Sequence, residues 1–273
     1  MDTSRPGHPF ESVDTLAEPV ALIRALDIIS RDPFYVSYKR RIAELLPVRS
    51  GGVYLDVGGG TGDDARRLTE TTGASVVAVD FSRVMTSEAA RRGVRSAVTA
   101  DAVSLPFADK SFDGCWADRT FQHLADPDRA LREMIRVTCP GGRLVTVDPD
   151  YDTQVMEFPD QDLARRVLRF RAERGLRNGS LAHRIPAIFA AHGLTGIDVE
   201  ARTLVVRDPT ALDNVFGLRT WGASAAAAEY LALGDVARWK TMYDETVAGG
   251  RFMWSVTFFL TAGVKSNEHP PRH

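Results

Sequence analysis

A glycine-rich turn separates an apolar run from a helix-like segment in VYLDVGGGTGDDARRL, residues 53–68. Glycines at such a place let the backbone turn tightly and let a ligand approach the main chain. Carboxylates stand on both sides of the turn, so the pattern predicts a ligand-binding loop with acidic neighbours at a helix N-terminus. Its chemistry-bearing residues are Asp56, Gly58, Gly60, Gly62, Asp63 and Asp64.

A dinucleotide is the first ligand to test, because pyrophosphate binds at the helix N-terminus of glycine loops of this kind. A carboxylate beside a phosphate would cost about 4 kcal/mol per charge pair at about 4 Å and an effective dielectric constant of about 20. Position 63, where the third dinucleotide glycine belongs, is also an aspartate. We therefore expect S-adenosyl-L-methionine (SAM), whose ammonium Asp56 can hold and whose carboxylate can face the loop amides. An NAD-dependent reductase is a distant alternative.

Two later acids support a nucleoside ligand. Asp80 ends the second strand-like run, 75–79, so its carboxylate can accept hydrogen bonds from both ribose hydroxyls. Phe81 beside it offers an apolar face to the adenine. Asp101 and Ala102 follow the third strand, where a carboxylate can accept from the adenine amine.

The composition restricts the kinds of partner. The chain has 273 residues, 44% of them hydrophobic and 26% charged, with a net charge of −2. With no dominant basic block, we expect no nucleic-acid partner, and the basic run 39–41 is interpreted as a solvated helix face. No apolar stretch is long enough to cross a bilayer, so we expect no membrane partner and a cytoplasmic location. A small-molecule acceptor and a monomer or homodimer are predicted.

Strand-like and helical patterns alternate along the first half, which is typical of a parallel α/β sheet. One helix begins clearly, since Asp126 can cap it and Pro127 suits its first turn. Five strands are predicted, at residues 53–57, 75–79, 94–100, 112–117 and 143–147.

The second half predicts further helices and a sheet that continues. We expect a single domain, with helices at 163–174 and 181–192, strands at 197–206 and 251–264, and an aromatic-rich helical insert at 209–249. The insert is interpreted either as a lid over the acceptor or as core packing. The predicted parts are an N-terminal helical cap (1–50), a SAM-binding core (51–150), a substrate-side half (151–264) and a disordered tail (265–273).

Four motifs carry a family resemblance: LDVGGGTG (55–62), VVAVDFS (76–82), ADAVSLPFADKSFDGCW (100–116) and LREMIRVTCPGGRLV (131–145). Together they resemble class I SAM-dependent methyltransferases of the small-molecule type that includes the ubiquinone and menaquinone methyltransferases. The resemblance implies a Rossmann-like, seven-stranded, mostly parallel sheet with an antiparallel last strand and a helical lid. It also implies that segment 118–123 borders the reacting methyl group and that a helix around 34–41 closes over the cofactor.

The predicted cofactor-binding set is completed by Met85 and Asp118. His123 is the candidate general base, and the alternative is a histidine that packs or binds backbone at the sheet edge. We predict no metal, although Asp118, Asp148 and Asp150 could form an oxygen-ligand site at the ends of adjacent strands. The function predicted is methyl transfer to an oxygen, nitrogen or carbon nucleophile, with S-adenosyl-L-homocysteine as product. The alternatives are a SAM-binding cyclase, isomerase or decarboxylase that transfers no methyl group, and a non-catalytic SAM-binding protein.

Overall fold

The computed structural model describes residues 13–16, 19–209 and 216–267. The predicted cap (1–50), insert (209–249) and tail (265–273) therefore lie partly outside the described residues. The sheet has the order β3-β2-β1-β4-β5-β7-β6. Its strands are β1 (Val53–Val57), β2 (Ser75–Asp80), β3 (Ser96–Thr99), β4 (Phe112–Asp118), β5 (Thr138–Glu157), β6 (Leu194–Val206) and β7 (Met253–Lys265).

Helices cover both faces of the sheet. They are α1 (Pro19–Arg31), α2 (Pro33–Leu45), α3 (Asp63–Thr72), α4 (Arg83–Arg91), α5 (Pro127–Val137), α6 (Gln161–Phe170), α7 (Ile185–Ala191), α8 (Trp221–Ala227) and α9 (Leu233–Ala248). In the part of the chain that the structure describes, no helix combines the length and the apolarity of a membrane-spanning segment.

The seven-stranded Rossmann-like sheet is confirmed. Strands β1 to β5 pair in parallel, and β7 runs antiparallel to both β5 and β6. Strand order reverses at β1, which lies between β2 and β4, and ligands of open α/β sheets bind in the crevice at such a point. The topology thus directs the search for a site to the carboxyl ends of β1, β2 and β4.

Local sequence explains how the helices begin. The Asp126 side chain accepts from Arg129 N at 2.9 Å, and Pro127 opens α5, as predicted. At the start of α2, the Asp32 side chain caps the helix by accepting from Phe34 N at 2.9 Å. Both caps satisfy backbone donors that would otherwise have no partner.

The prediction for the fifth strand was wrong in length. It placed the strand at 143–147, whereas β5 runs from Thr138 to Glu157. The Asp148-Pro149-Asp150 segment reads as a turn in the sequence, yet it pairs with β7, and the register shifts only after Asp150. The predicted helix 163–174 also differs, because α6 ends at Phe170 and continues as a π-helical turn, Arg171–Gly175.

We expect Gly62→Ala to destabilise the fold more than Gly93→Ala. Both glycines have φ above +70°, a conformation that costs other residues about 1–2 kcal/mol. A Cβ at Gly62 would also lie 2.5 Å from Val94 Cγ2 and 2.9 Å from Ala89 Cβ, whereas a Cβ at Gly93 meets nothing within 4 Å. Such crowding costs a further 1–3 kcal/mol, roughly. Urea denaturation measures both free energies of unfolding, and equal losses would contradict the packing role of Gly62.

Candidate functional site

The loop after β1 is fixed to the end of β2 by hydrogen bonds. Gly58 N donates to the Val79 carbonyl at 2.8 Å, and Gly60 N donates to Asp80 Oδ2 at 2.9 Å. Gly58 has a φ of +74°, and a Cβ there would lie 2.2 Å from Thr120 Oγ1. The loop therefore requires glycine at position 58 and presents its bare backbone at the carboxyl edge of the sheet.

A cavity of about 360 Å³ opens over this edge, a volume typical of small-molecule sites. Two members of the predicted set lie outside its walls: Asp56 lines a smaller neighbouring cavity, and Gly62 packs against the end of α4. The others that line the main cavity are Gly58, Gly60, Asp80, Phe81, Met85, Asp101, Ala102, Asp118 and His123.

Asp80 connects the loop to the start of the next helix. Its Oδ2 accepts from Gly60 N, and its Oδ1 accepts from Ser82 N, each at 2.9 Å. Burial raises the pKa of Asp80, against the lowering effect of these two amides. Each carboxylate oxygen retains a further lone pair, so Asp80 can accept from a ligand in the cavity. Phe81, beside it, leaves 70% of its surface exposed.

The wall beyond Asp80 is apolar with one acid. Met85 and Ala102 are buried, and both line the main cavity. Asp101 is exposed and binds its own loop, since its Oδ1 accepts from Val103 N at 3.1 Å. This combination suits a flat, weakly polar ring with one hydrogen-bond donor at its edge.

Lys39 corrects the interpretation of run 39–41 as a solvated helix face. It is only 9% exposed, because it lies on the same buried face of α2 as Tyr35. Its ammonium lies 3.4 Å from Asp118 Oδ2 and forms an ion pair with Asp64. Burial lowers the pKa of Lys39, but the two carboxylates outweigh burial and raise the pKa. The second cavity, of about 50 Å³, thus has a charged lysine in its wall.

The acids flanking the loop are not free carboxylates. Asp63 accepts from Arg92 at 2.8 Å, and Asp64 accepts from Arg67 at 2.8 Å in addition to its lysine partner. Burial, and then the charge of Asp64, raise the pKa of Asp56 well above its usual value. The repulsion of a diphosphate is therefore weaker than the sequence argument assumed, and the charges around the loop nearly balance.

Arg119 is a site residue that was predicted only as part of segment 118–123, without a role of its own. It follows β4 directly, adopts a left-handed φ of +55° and lines both cavities. Its guanidinium lies 5.3 Å from the centre of the Tyr35 ring. A left-handed arginine is strained, and such residues cluster at functional sites. The sequence signal is only its position, as the first residue after a strand that ends at the cavity.

Two tryptophans of the predicted insert, Trp221 and Trp239, are packed in the core. Trp239 stacks on Phe158 with ring centres 4.5 Å apart, and Trp221 meets Trp254 edge-on at 5.6 Å. All four rings are at most 3% exposed. None of them lines the main cavity or the small one, so these side chains serve packing of the helices against β7.

The strand-end acids do not converge on a metal-like arrangement. Among the residues described, the one group with metal-type ligand atoms within 4.8 Å of one another is Asp150, Asp152 and His183. Asp150 Oδ2 accepts from the His183 amide and contacts His183 Nδ1 at 2.5 Å. The alternative that combined Asp118, Asp148 and Asp150 is thus not formed.

Comparison with known proteins identifies a methyltransferase domain in the chain. Residues 55–146 match the family model described as "Methyltransferase domain". A 37.1 kDa protein of transposon TN4556 from Streptomyces fradiae is 34% identical over 82% of this chain and 66% of its own length. Methyltransferase GfsG of Streptomyces halstedii is 41% identical over 45% of this chain and 48% of its own length. The chain thus spans about half to two thirds of these relatives.

A solved structure agrees in fold. Phosphoethanolamine N-methyltransferase 2 of Haemonchus contortus, in complex with phosphomonomethylethanolamine and S-adenosylhomocysteine, aligns with a TM-score of 0.61 at 18% identity. The alignment covers 94% of this chain and 60% of that one. With the sheet order, the glycine loop and the family model in agreement, residues 55–146 form a methyltransferase domain, and the chain is similar to class I SAM-dependent methyltransferases of the small-molecule type.

Proposed function

We propose that the protein binds SAM and transfers its methyl group to a small-molecule nucleophile, releasing S-adenosyl-L-homocysteine. The observation that carries the proposal is the order of groups around the main cavity. Bare loop backbone at Gly58 and Gly60 is followed by the carboxylate of Asp80 and then by the apolar wall with Asp101. A nucleoside that carries an amino-acid chain needs these groups in this spatial order.

The residues present fit each part of that cofactor. Asp80 would accept from the ribose hydroxyls, and Phe81, Met85 and Ala102 would contact the adenine, with Asp101 at its amine. The amino-acid end would enter the small cavity, where Lys39 can hold the carboxylate. Asp56 and the loop backbone are available there to the ammonium, directly or through water.

The cofactor would supply a sulfonium-activated methyl group, so the protein contributes positioning, exclusion of water and proton removal. Helix α2 closes one side through Lys39 and Tyr38, whose hydroxyl donates to Asp118 Oδ1 at 2.9 Å. His123 lines the main cavity in the turn after β4. We assign it the removal of a proton from a hydroxyl acceptor; an amine or enolate carbon would need no base.

The direct test is incubation with SAM and candidate hydroxyl, amine and enolate acceptors, read by mass spectrometry. We expect a gain of about 14 mass units on one acceptor with equal formation of S-adenosyl-L-homocysteine. Binding of SAM with conversion of a substrate but no S-adenosyl-L-homocysteine would replace the proposal with a cyclase or isomerase activity.

Asp80→Ala should weaken SAM binding by roughly 1.5–3 kcal/mol, the usual worth of hydrogen bonds to a charged group. This corresponds to about a 10- to 150-fold rise in the dissociation constant measured by calorimetry. Asp162→Asn is the control, because that side chain is 90% exposed and distant in the chain. Unchanged affinity in Asp80→Ala would remove the ribose assignment.

SAM affinity should also fall as the pH is lowered. Burial raises the pKa of Asp80, so the ionised form that accepts two hydroxyls is lost at a higher pH than for an exposed aspartate. Calorimetric dissociation constants at pH values from about 8 down to about 4.5 measure the effect. Asp80→Asn should flatten the profile, and an equally steep profile in that variant would assign the titration to another group.

His123→Asn should lower turnover of a hydroxyl acceptor by about 10²-fold, with SAM affinity within about twofold of wild type. Single-turnover kinetics separates the two quantities. Full activity in the variant would return His123 to a packing role in the turn.

A further inference from the structure

Three buried hydrogen-bond donors beside the active-site region have no acceptor among the described residues. They are the Tyr35 hydroxyl and the Nε groups of Arg119 and Arg171. Burial raises the pKa of Tyr35, so its hydroxyl keeps its proton. Buried polar groups in native proteins almost always have partners. All three groups are donors, so each of them lacks a hydrogen-bond acceptor.

These donors belong to one cluster. The guanidinium of Arg119 lies 5.3 Å from the Tyr35 ring centre, and that of Arg171 lies 5.3 Å from the ring centres of both Tyr151 and Trp221. The Tyr35 ring packs against that of Phe258 with centres 5.8 Å apart, and Phe258 pairs with Pro149, two residues before Tyr151. The Tyr35–Arg119 pair and the Tyr151–Arg171 pair are therefore neighbours. We call Tyr35, Arg119, Tyr151 and Arg171 the arginine–tyrosine cluster.

The cluster carries positive charge that the described residues do not neutralise. No carboxylate among them lies within 4.0 Å of Arg171. The nearest carboxylate oxygen of Asp118 lies 3.9 Å from Arg119 Nε, beyond hydrogen-bonding distance. Asp118 is in addition shared with the ammonium of Lys39 and the hydroxyl of Tyr38. Bound SAM would add its sulfonium and increase this excess of positive charge.

The backbone at both arginines is unusual. Arg119 has the left-handed φ of +55°, and Arg171 opens the π-helical turn that follows α6. Both features recur at functional sites, where the side chain must be directed to a ligand at a cost in local stability.

We propose that the arginine–tyrosine cluster binds a carboxylate on the methyl acceptor. Guanidinium groups match carboxylates in geometry, and the Tyr35 hydroxyl can donate to the same carboxylate. Lys39, in the small cavity, can hold the cofactor's own carboxylate. Arg171 packs over the Tyr151 ring instead and does not line that cavity. The inference rests on the proposed function and names its substrate class.

Calorimetry on the complex with S-adenosyl-L-homocysteine tests the inference with matched probes. The probes are 4-hydroxycinnamate, 4-hydroxybenzoate and indole-3-acetate, each compared with its primary amide. We expect at least one acid to bind about tenfold or more tightly than its amide, because the amide has the same shape without the charge. Arg171→Leu and Arg119→Leu should each reduce the acid-to-amide ratio to within about threefold.

Arg169→Leu is the matched control, because it removes a positive charge from an exposed position of α6 without contact to the cluster. It should keep the wild-type ratio. Arg171→Lys keeps the charge but loses the planar fork and should give an intermediate ratio. It also substitutes for Arg171→Leu if that variant fails to bind S-adenosyl-L-homocysteine and is therefore misfolded.

The outcomes separate the two proposals. If S-adenosyl-L-homocysteine binds but no acid binds better than its amide, the carboxylate inference is overturned and the proposed function stands. If Arg119→Leu weakens S-adenosyl-L-homocysteine binding and leaves the acid-to-amide ratio unchanged, Arg119 serves the cofactor's carboxylate and the inference is equally overturned. If neither SAM nor S-adenosyl-L-homocysteine binds the wild type, the proposed function itself fails.

Discussion

The balance of charge around the glycine loop is the constraint on which the site depends. Asp63 and Asp64 are paired with arginines and with Lys39, and burial raises the pKa of Asp56. The small cavity therefore presents both signs of charge at short range. A zwitterionic amino-acid chain fits this cavity, because its ammonium and its carboxylate can each bind a group of opposite charge there. A diphosphate would bring two negative charges without the positive charge that balances the carboxylate of a zwitterion.

Helix α2 connects this balance to the rest of the fold. Its buried face brings Tyr35, Tyr38 and Lys39 to the ends of β1 and β4, where they meet Asp64, Asp118 and Arg119. These contacts join residues that are 25 to 84 positions apart in the sequence. A change in α2 would thus alter both the small cavity and the arginine–tyrosine cluster, since Lys39 lines the cavity and Tyr35 belongs to the cluster.

The sequence predicts those parts of the fold whose signals are local. The apolar run of β1, the aspartate cap of α5 and the loop glycines predicted a parallel α/β sheet with a ligand-binding loop, whereas the seven strands and the antiparallel last strand were implied by the family resemblance. Two features depend on long-range pairing and could not be read directly. Strand β5 continues past Asp148 because β7 pairs with it. Lys39 is buried because two carboxylates that are distant in the sequence, Asp64 and Asp118, lie beside its ammonium. The signal that would have found Lys39 is its place on the apolar stripe of α2, one turn after Tyr35.

The central claim, that this loop receives a zwitterionic adenosyl donor, is tested most directly by parallel calorimetric titrations of the wild-type protein with SAM and with NADH. One-to-one heat of binding with SAM, and none with NADH, is the predicted result. Saturable binding of NADH together with a flat trace for SAM would contradict the assignment of the cavity.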